Sequence, residues 1–218
     1  MKQLEILSYP IYEFSCDENL VNDVQKHVES LDFLLNGSFQ IFDNYYHKEL
    51  FQFFNESVTQ VKNLYYKKSL EFPIVACWAN KYNKMQQLPN HTHSNGVISG
   101  VFYVTTHENT APTLFNRYNP WTDFDNSKDP YNMLQLYDEP KFVTNKIYSK
   151  AGTLLLFPSH IRHSAMTMKK MEDRYIIAFN CFPKGEICDY APGRLTLDVL
   201  SVEDKIKSGA VSATGIKE

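Results

Sequence analysis

The most informative part of the sequence is PNHTHSNGVISGVFYVT, residues 89–105. Residues 97–105 are rich in Val, Ile, Phe and Tyr, which is typical of a β-strand. Just before them stand two histidines separated by one residue, His91 and His93. Because side chains two apart in a strand share a face, both imidazoles can point into the same side of a barrel. The stretch therefore predicts a strand next to a pair of metal ligands.

Strands of the same kind follow Pro73, whereas the part before it has a helical pattern. Apolar residues spaced three and four apart predict two amphipathic helices, one over 17–33 capped by Asp17 and one over about 47–68. Helices first and strands afterwards, without alternation, favour an antiparallel sandwich flanked by helices over a βαβ fold. We expect a mainly β chain with N-terminal helices, whose predicted strands are 74–78, 97–105, 153–157 and 175–182.

Composition argues against several classes of function. The formal net charge is −3, from 22 Lys and Arg against 25 Asp and Glu, so no broad positive field would attract nucleic acid. The sequence contains no apolar run near the roughly 20 residues of a membrane-spanning helix, and it does not start like a signal peptide. The four cysteines lack CxxC spacing and suit free thiols in a reducing compartment. We expect a cytoplasmic protein without general nucleic-acid binding or a membrane segment.

A third histidine of interest, His163, ends the segment GTLLLFPSHIRH, residues 152–163. An HxH pair with a later histidine near a Gly-led apolar strand is typical of a metal site, although a lone histidine more often has no such role. Three imidazoles on one face suit Fe(II) and leave positions open for other ligands, but zinc, manganese and copper can use the same geometry. His160 lies three residues earlier and competes with His163 for the third position.

The segment RYIIAFN, residues 174–180, places a cation in an apolar strand. Alternation puts Arg174 and Asn180 on one face of that strand. If this face lines the barrel interior, the Arg174 guanidinium is costly to bury unless it pairs with an anion, and a carboxylate is its best bidentate partner. The alternative for Arg174 is a salt bridge at a surface strand end. Asn180 could orient a ligand or cap the sheet.

Residues 74–183 resemble the Fe(II)/2-oxoglutarate-dependent oxygenase superfamily, in the branch similar to prolyl 4-hydroxylases. The resemblance rests on ANKY (79–82), HTH (91–93), SGVFY (99–103) and residues 152–180. It implies a jelly-roll core, also called a double-stranded β-helix. It also implies hydroxylation of a small-molecule or peptide substrate, with Fe(II) and 2-oxoglutarate as cofactors.

The resemblance also implies roles for individual residues. His91 and His163 would bind the iron, and Arg174 would grip the far carboxylate of 2-oxoglutarate. Tyr82 matches a tyrosine that often contacts the cosubstrate in this family. Tyr103 could hydrogen-bond the bound keto acid, although a tyrosine in such a strand is more often part of the core.

His93 departs from the pattern of the family, which has Asp at this position. Three imidazoles keep three donors but lose a negative charge, which should weaken the binding of a divalent ion. We expect His93 to ligate the metal directly. The alternative is completion of the shell by water or by a carboxylate of residues 107–146, such as Asp123, Asp125 or Asp129.

The chain is expected to form one domain, residues 1–218, since its length and 43% hydrophobic content suit one core. Residues 1–72 would be a helical support, and residues 73–192 the jelly-roll catalytic core.

Residues 107–146 are too long for a plain connection and predict a lid or substrate loop. Residues 203–218 are polar, small and charged and predict a loose tail. A substrate wall or an ordinary loop could be formed by Arg117, Tyr118 and Trp121.

Two other functions fit parts of the pattern. A cupin-like dioxygenase or isomerase would use three histidines without 2-oxoglutarate, but the glutamate usual after the cupin HxH is missing from residues 94–100. A non-enzymatic jelly-roll binding module would hold structural zinc, with His160 as fourth ligand, or no metal. The N-terminal helices could cover the barrel or pair subunits in a homodimer.

Overall fold

A computed structural model describes residues 10–36, 39–83, 86, 88–106, 112–117, 143–165, 173–188, 191–211 and 216–217. Two antiparallel β-sheets form the body of this part of the chain. The larger sheet has seven strands in the order β1-β10-β7-β12-β5-β3-β2. These strands are β1 (Tyr12–Ser15), β2 (Leu34–Asn36), β3 (Phe39–Asp43), β5 (Ile74–Tyr82), β7 (Ile98–Tyr103), β10 (Thr153–Pro158) and β12 (Arg174–Cys181).

The smaller sheet has four strands in the order β6-β11-β8-β9. They are β6 (Leu88–His91), β8 (Thr113–Arg117), β9 (Val143–Ile147) and β11 (Arg162–Ala165). Side chains from both sheets form one buried cluster, in which Phe115 of β8 meets Phe157 of β10. This inner cluster lies between the sheets. The mainly β, jelly-roll class predicted from the sequence is confirmed.

Alternation along β12 divides its side chains between two cores. Ile176 and Ala178 belong to the inner cluster, whereas Ile177 and Phe179 belong to a second cluster with the helices. The face of this strand that carries Ile176 and Ala178 therefore lines the space between the sheets. All eight residues of β12 are buried, which explains why apolar side chains occupy positions on both of its faces.

The two predicted helices cover the outer face of the larger sheet. Helix α1 is Glu18–Glu29, and the Asp17 side chain caps it by accepting hydrogen bonds from backbone N–H groups, as predicted. Helix α2 is Lys48–Tyr65. The ring of Phe54 in α2 stacks on Phe179 with 4.5 Å between centroids. Apolar burial on this face holds the helices against the sheet.

The predicted helical support at 1–72 is only partly correct, because this region also contributes strands. β1 and β3 hydrogen-bond to β10 and β5, and β4 (Tyr46–His47) precedes α2. In β1 the burial alternates, so that Tyr12 and Phe14 pack on the outer core. Four residues are too few to distinguish such a strand by composition alone.

The predicted loose tail at 203–218 is wrong for its first part. Helix α3 (Val202–Lys207) starts with a capping box between Ser201 and Asp204. Its Val202 side chain is buried, and Lys205 Nζ donates to the Val75 carbonyl over 2.6 Å. A cap and one buried anchor stabilise this short helix despite its polar composition.

Four smaller elements complete the described chain. β13 (Gly185–Glu186) pairs with β14 (Thr196–Leu197), and β15 (Ile216–Lys217) pairs with β4. A 3-10 turn covers Ala191–Gly193. Of the predicted lid at 107–146, the described parts are β8 and β9, and the remainder lies outside the described residues. None of the described helices is long and apolar enough to span a membrane.

Candidate metal centre

The structure brings the three predicted metal ligands together. His91 ends β6 and pairs in register with His163 of β11, while His93 lies two residues beyond the strand. The potential ligand atoms of the three side chains lie within 4.8 Å of one another, and the Nε2 atoms of His91 and His93 are 3.1 Å apart. The expected strand alternation is not the reason for this convergence, because His93 is carried by the turn after β6.

Hydrogen bonds to the Nδ1 atoms orient the imidazoles. His91 Nδ1 lies 2.8 Å from the carbonyl of Pro89, and His163 Nδ1 lies 3.0 Å from that of Ile161. A carbonyl oxygen only accepts, so each Nδ1 must donate its proton. The Nε2 atoms of His91 and His163 then carry the lone pairs that a metal needs.

Burial also keeps the imidazoles uncharged. Burial lowers the pKa of His163 to about 3, and the neighbouring His91 and His93 act in the same direction. Burial lowers the pKa of His93 as well, against the raising effect of its hydrogen bond to Asn180. Both imidazoles are therefore neutral near pH 7, which is the form that ligates a metal.

Among the described residues, His160 does not join the centre. His160 is exposed, and the group of possible ligands found among the described residues consists of His91, His93 and His163. Asp123, Asp125, Asp129 and the aromatic residues Tyr118 and Trp121 lie outside the described residues, as does the side chain of Arg117. Within the described chain, His163 and not His160 is the third histidine.

Arg174 lies on the same inner face of β12 and is only 1% exposed. Its guanidinium carbon lies 5.4 Å from the ring centre of Tyr103 and 5.9 Å from that of Tyr82. Burial lowers the pKa of Arg174, and the two tyrosines oppose this effect. The alternative of a salt bridge at a surface strand end does not hold, because the guanidinium is buried inside the barrel, where an anionic ligand would offset its desolvation.

Polar groups surround this position. The Tyr103 hydroxyl is 2.6 Å from Thr113 Oγ1, and both side chains are buried. Burial raises the pKa of Tyr82, so its phenol stays neutral. Asn80 is buried two residues before Tyr82, and its Oδ1 has no hydrogen-bond partner among the described residues. The inner face of the barrel around Arg174 therefore combines one buried guanidinium with neutral polar side chains.

A cavity of about 250 Å³ lies between the sheets next to the three histidines. The three histidines, Asn80 and Thr113 line it together with apolar side chains. Along β12 its wall is Ile176 and Ala178, so Arg174 and Asn180 flank the cavity on the inner face of the strand. The apolar part of the lining is Ile41, Trp78, Leu88, Val101, Ala165, Ile176 and Ala178.

Four polar residues of the site were missed from sequence: Asn80, Ser99, Thr113 and Ser159. Asn80 could have been found by extending the alternation of β5 back from Tyr82. Ser99 lies on the same face of its strand as Tyr103, so the inward position expected for Tyr103 could have been extended to Ser99. Ser159 follows β10 and Thr113 begins β8, and no local pattern distinguishes them.

Comparisons with known proteins agree with this geometry. A family model described as "Putative 2OG-Fe(II) oxygenase" matches residues 76–180. A comparison with curated proteins found no match. Among solved structures, HygX from Streptomyces hygroscopicus, with nickel and 2-oxoglutarate bound, superposes with a TM-score of 0.56 at 12% identity over 88% of this chain and 93% of that one.

Two further solved structures have the same fold. A Pseudomonas putida prolyl-4-hydroxylase gives a TM-score of 0.54 at 10% identity, covering 79% of this chain and 93% of that one. A Burkholderia pseudomallei oxidoreductase of the 2OG-Fe(II) oxygenase family gives 0.55 at 11% identity, covering 78% and 83%. The resemblance noted in the sequence is confirmed by the family-model match over residues 76–180, just under half of the chain, and the findings indicate an enzyme, a 2-oxoglutarate-dependent oxygenase with Fe(II) and 2-oxoglutarate as cofactors.

Proposed function

We propose that His91, His93 and His163 hold the Fe(II) of this oxygenase and that Arg174 binds the distal carboxylate of 2-oxoglutarate. The observation that carries the proposal is the shared inner face of the barrel. Three imidazoles converge at the cavity, and a buried guanidinium lies further along the same face of β12.

The donor set fits a divalent ion. Three neutral imidazoles provide nitrogen ligands, and a facial set of three leaves positions open for a cosubstrate and oxygen. Bound Fe(II) and 2-oxoglutarate supply the oxidising chemistry, which is a property of the cofactors. The chain itself orients the ligands and keeps the imidazoles of His93 and His163 unprotonated through burial.

The surroundings of Arg174 fit a dicarboxylate. A guanidinium can bind a carboxylate with two parallel hydrogen bonds, and burial strengthens that interaction. Tyr82 and Tyr103 flank the guanidinium, which positions their phenols to contact the same ligand. Asn80 adds a buried amide that faces the cavity.

We further propose that the substrate is a small molecule or a peptide. The structural neighbours support both classes, since one is a prolyl-4-hydroxylase and HygX has been solved with hygromycin B. The apolar wall around Trp78 and Leu88 suits the C–H bonds that a hydroxylase attacks. A cytoplasmic location agrees with the free thiols at Cys16, Cys77 and Cys181. A homodimer stays a prediction.

Calorimetric titration with 2-oxoglutarate under anaerobic conditions tests the assignment of Arg174. In the Fe(II)-loaded protein, Arg174→Gln should weaken 2-oxoglutarate binding by about 30-fold or more, because a buried charge pair is worth about 2 kcal/mol or more. Arg194→Gln is the matched control, since Arg194 is exposed and lies outside the site.

The titration has clear outcomes. Equal binding by wild type and Arg174→Gln at equal iron content would refute the role of Arg174. Oxygen consumption with a substrate but without a keto acid would favour the cupin-like reaction instead.

A further inference from the structure

We propose that Asn180 is a positioning residue for the metal centre, and that it fixes His93 in the form that can ligate the ion. In this arrangement the Asn180 amide oxygen accepts the proton of His93 Nδ1 and leaves the Nε2 lone pair facing the metal. The inference rests on the metal centre proposed above and assigns a second layer of residues to it.

The contacts around His93 carry the proposal. Asn180 Oδ1 lies 2.6 Å from His93 Nδ1, and Ser99 Oγ lies 3.0 Å from the same nitrogen. Ser99 Oγ is also 2.8 Å from Asn180 Oδ1 and 2.8 Å from Ser159 Oγ. Asn180, Ser99 and Ser159 are each at most 1% exposed, so water does not compete for these hydrogen bonds.

His93 needs such a partner more than the other two ligands do. The Nδ1 atoms of His91 and His163 face backbone carbonyls, which can only accept. A side-chain amide can present either its oxygen or its nitrogen, and only the oxygen leaves Nε2 of His93 free for a metal. The orientation of the Asn180 amide therefore decides whether His93 can bind.

Neighbouring groups set that orientation. Asn180 Nδ2 donates to Asn95 Oδ1 over 2.8 Å, which turns the amide oxygen toward His93. The Ser99 hydroxyl donates to the same oxygen. The backbone of His93 is fixed as well, because its N–H donates to the Ser159 carbonyl over 3.0 Å.

Gly96 lets the turn close over these residues. A Cβ at position 96 would lie 2.8 Å from Ser159 Oγ and 3.0 Å from Asn180 Cβ. Real Cβ atoms essentially never show the first distance and rarely show the second, so a larger residue would displace Ser159 or Asn180. The sequence thus provides space for the polar cluster at the position where the turn crosses it.

The arrangement also accounts for the departure from the Asp of the resembled family. A neutral imidazole supported by a neutral amide supplies a donor without adding negative charge. Replacing the amide by a carboxylate would keep the acceptor, and a carboxylate partner raises the basicity of a histidine ligand. Asn180→Asp should therefore preserve metal binding, whereas Asn180→Leu should not.

Two measurements test the proposal. Ring nitrogen NMR shifts of the metal-free protein should show His93 with its proton on Nδ1 in wild type and in Asn180→Asp, but a mixture of tautomers in Asn180→Leu. Titration with Co(II), monitored by its visible absorption, should give about 10- to 100-fold weaker binding and an altered spectrum for Asn180→Leu. Asn180→Asp should bind at least as tightly as wild type.

Ser99→Ala tests the support for Asn180 and should weaken Co(II) binding by a smaller factor. Its matched control is Ser57→Ala, which removes a buried hydroxyl on α2 that donates to the Phe53 carbonyl. If Asn180→Leu does not fold, Ser99→Ala and the wild-type tautomer still decide the question.

The proposal is overturned if Asn180→Leu binds Co(II) as wild type does, or if His93 of wild type carries its proton on Nε2. Failure of the proposed function would look different. In that case wild type itself would not bind Co(II), or would bind it without affinity for 2-oxoglutarate, while the tautomer of His93 in the metal-free protein would remain measurable.

Discussion

Two histidines lie three residues apart after β10, and their environments differ sharply. His163 is 3% exposed and faces His91, whereas His160 is exposed on the turn. We expect His163→Ala to weaken Co(II) binding by more than about 100-fold, beyond the loss expected for a supporting residue, because a ligand is removed. His160→Ala on the same turn is the control and should leave the affinity unchanged. Equal losses in the two variants would show that the third ligand is misassigned.

Individual residues of the centre were predictable to different degrees. Arg174 could be placed inside the barrel because the alternation of an apolar strand is local information. The HxH spacing identified both His91 and His93. The strand alternation on which we based this does not explain the position of His93, because His93 lies two residues beyond the end of β6. The role of Ser159 could not be inferred, because it depends on which strand lies beside β10. Such pairings join residues far apart in sequence.

Strands β7 and β12 pack closely where glycine faces an aromatic ring. Gly100 pairs in register with Phe179, and a Cβ at position 100 would lie 2.3 Å from that ring. Gly100→Ala must therefore push the ring against Phe54, and we expect it to lower the free energy of unfolding by about 1–3 kcal/mol. Urea denaturation measures this change. Gly193→Ala is the control, because the nearest atom there would be 3.4 Å away.

A double variant tests the cause of that loss. If the methyl group introduced by Gly100→Ala clashes with the ring, Phe179→Leu should relieve the clash, and the double variant should be less destabilised than the sum of the two single variants. Additive effects would instead point to a backbone origin in β7.

At the level of elements, long buried strands were predicted and short ones were not. The predicted strand starting at residue 74 extends in the structure to Tyr82, and β7, β10 and β12 fall close to their expected positions. β6, β8 and β11 have only four or five residues each, with mixed polarity, and take their shape from pairing with one another. Tertiary pairing therefore decides these strands more than intrinsic propensity does.

At the scale of the whole molecule, the fold buries uncharged imidazoles that the unfolded chain would expose. His163 faces His91, His93, Phe115 and Phe157, and its pKa falls to about 3 through burial first and through the other two histidines second. In the unfolded chain the pKa of a histidine is about 6.5. Between about pH 3 and pH 6.5 the His163 imidazole is therefore protonated in the unfolded state but not in the folded state.

The metal-free protein should consequently lose stability as the pH falls below about 6.5, and it should be insensitive to His163 above that value. The sign follows from the depressed pKa of this base in the folded state, since protons then favour unfolding. Urea midpoints measured between pH 7.5 and 5 in the presence of a chelator test this expectation. His163→Asn should make the profile shallower, because it removes one of the two imidazoles whose pKa burial lowers, whereas His160→Asn, on the exposed turn, should retain the wild-type slope. A slope unchanged in His163→Asn would mean that other groups cause the loss of stability at low pH and that the buried imidazole of His163 does not contribute to it.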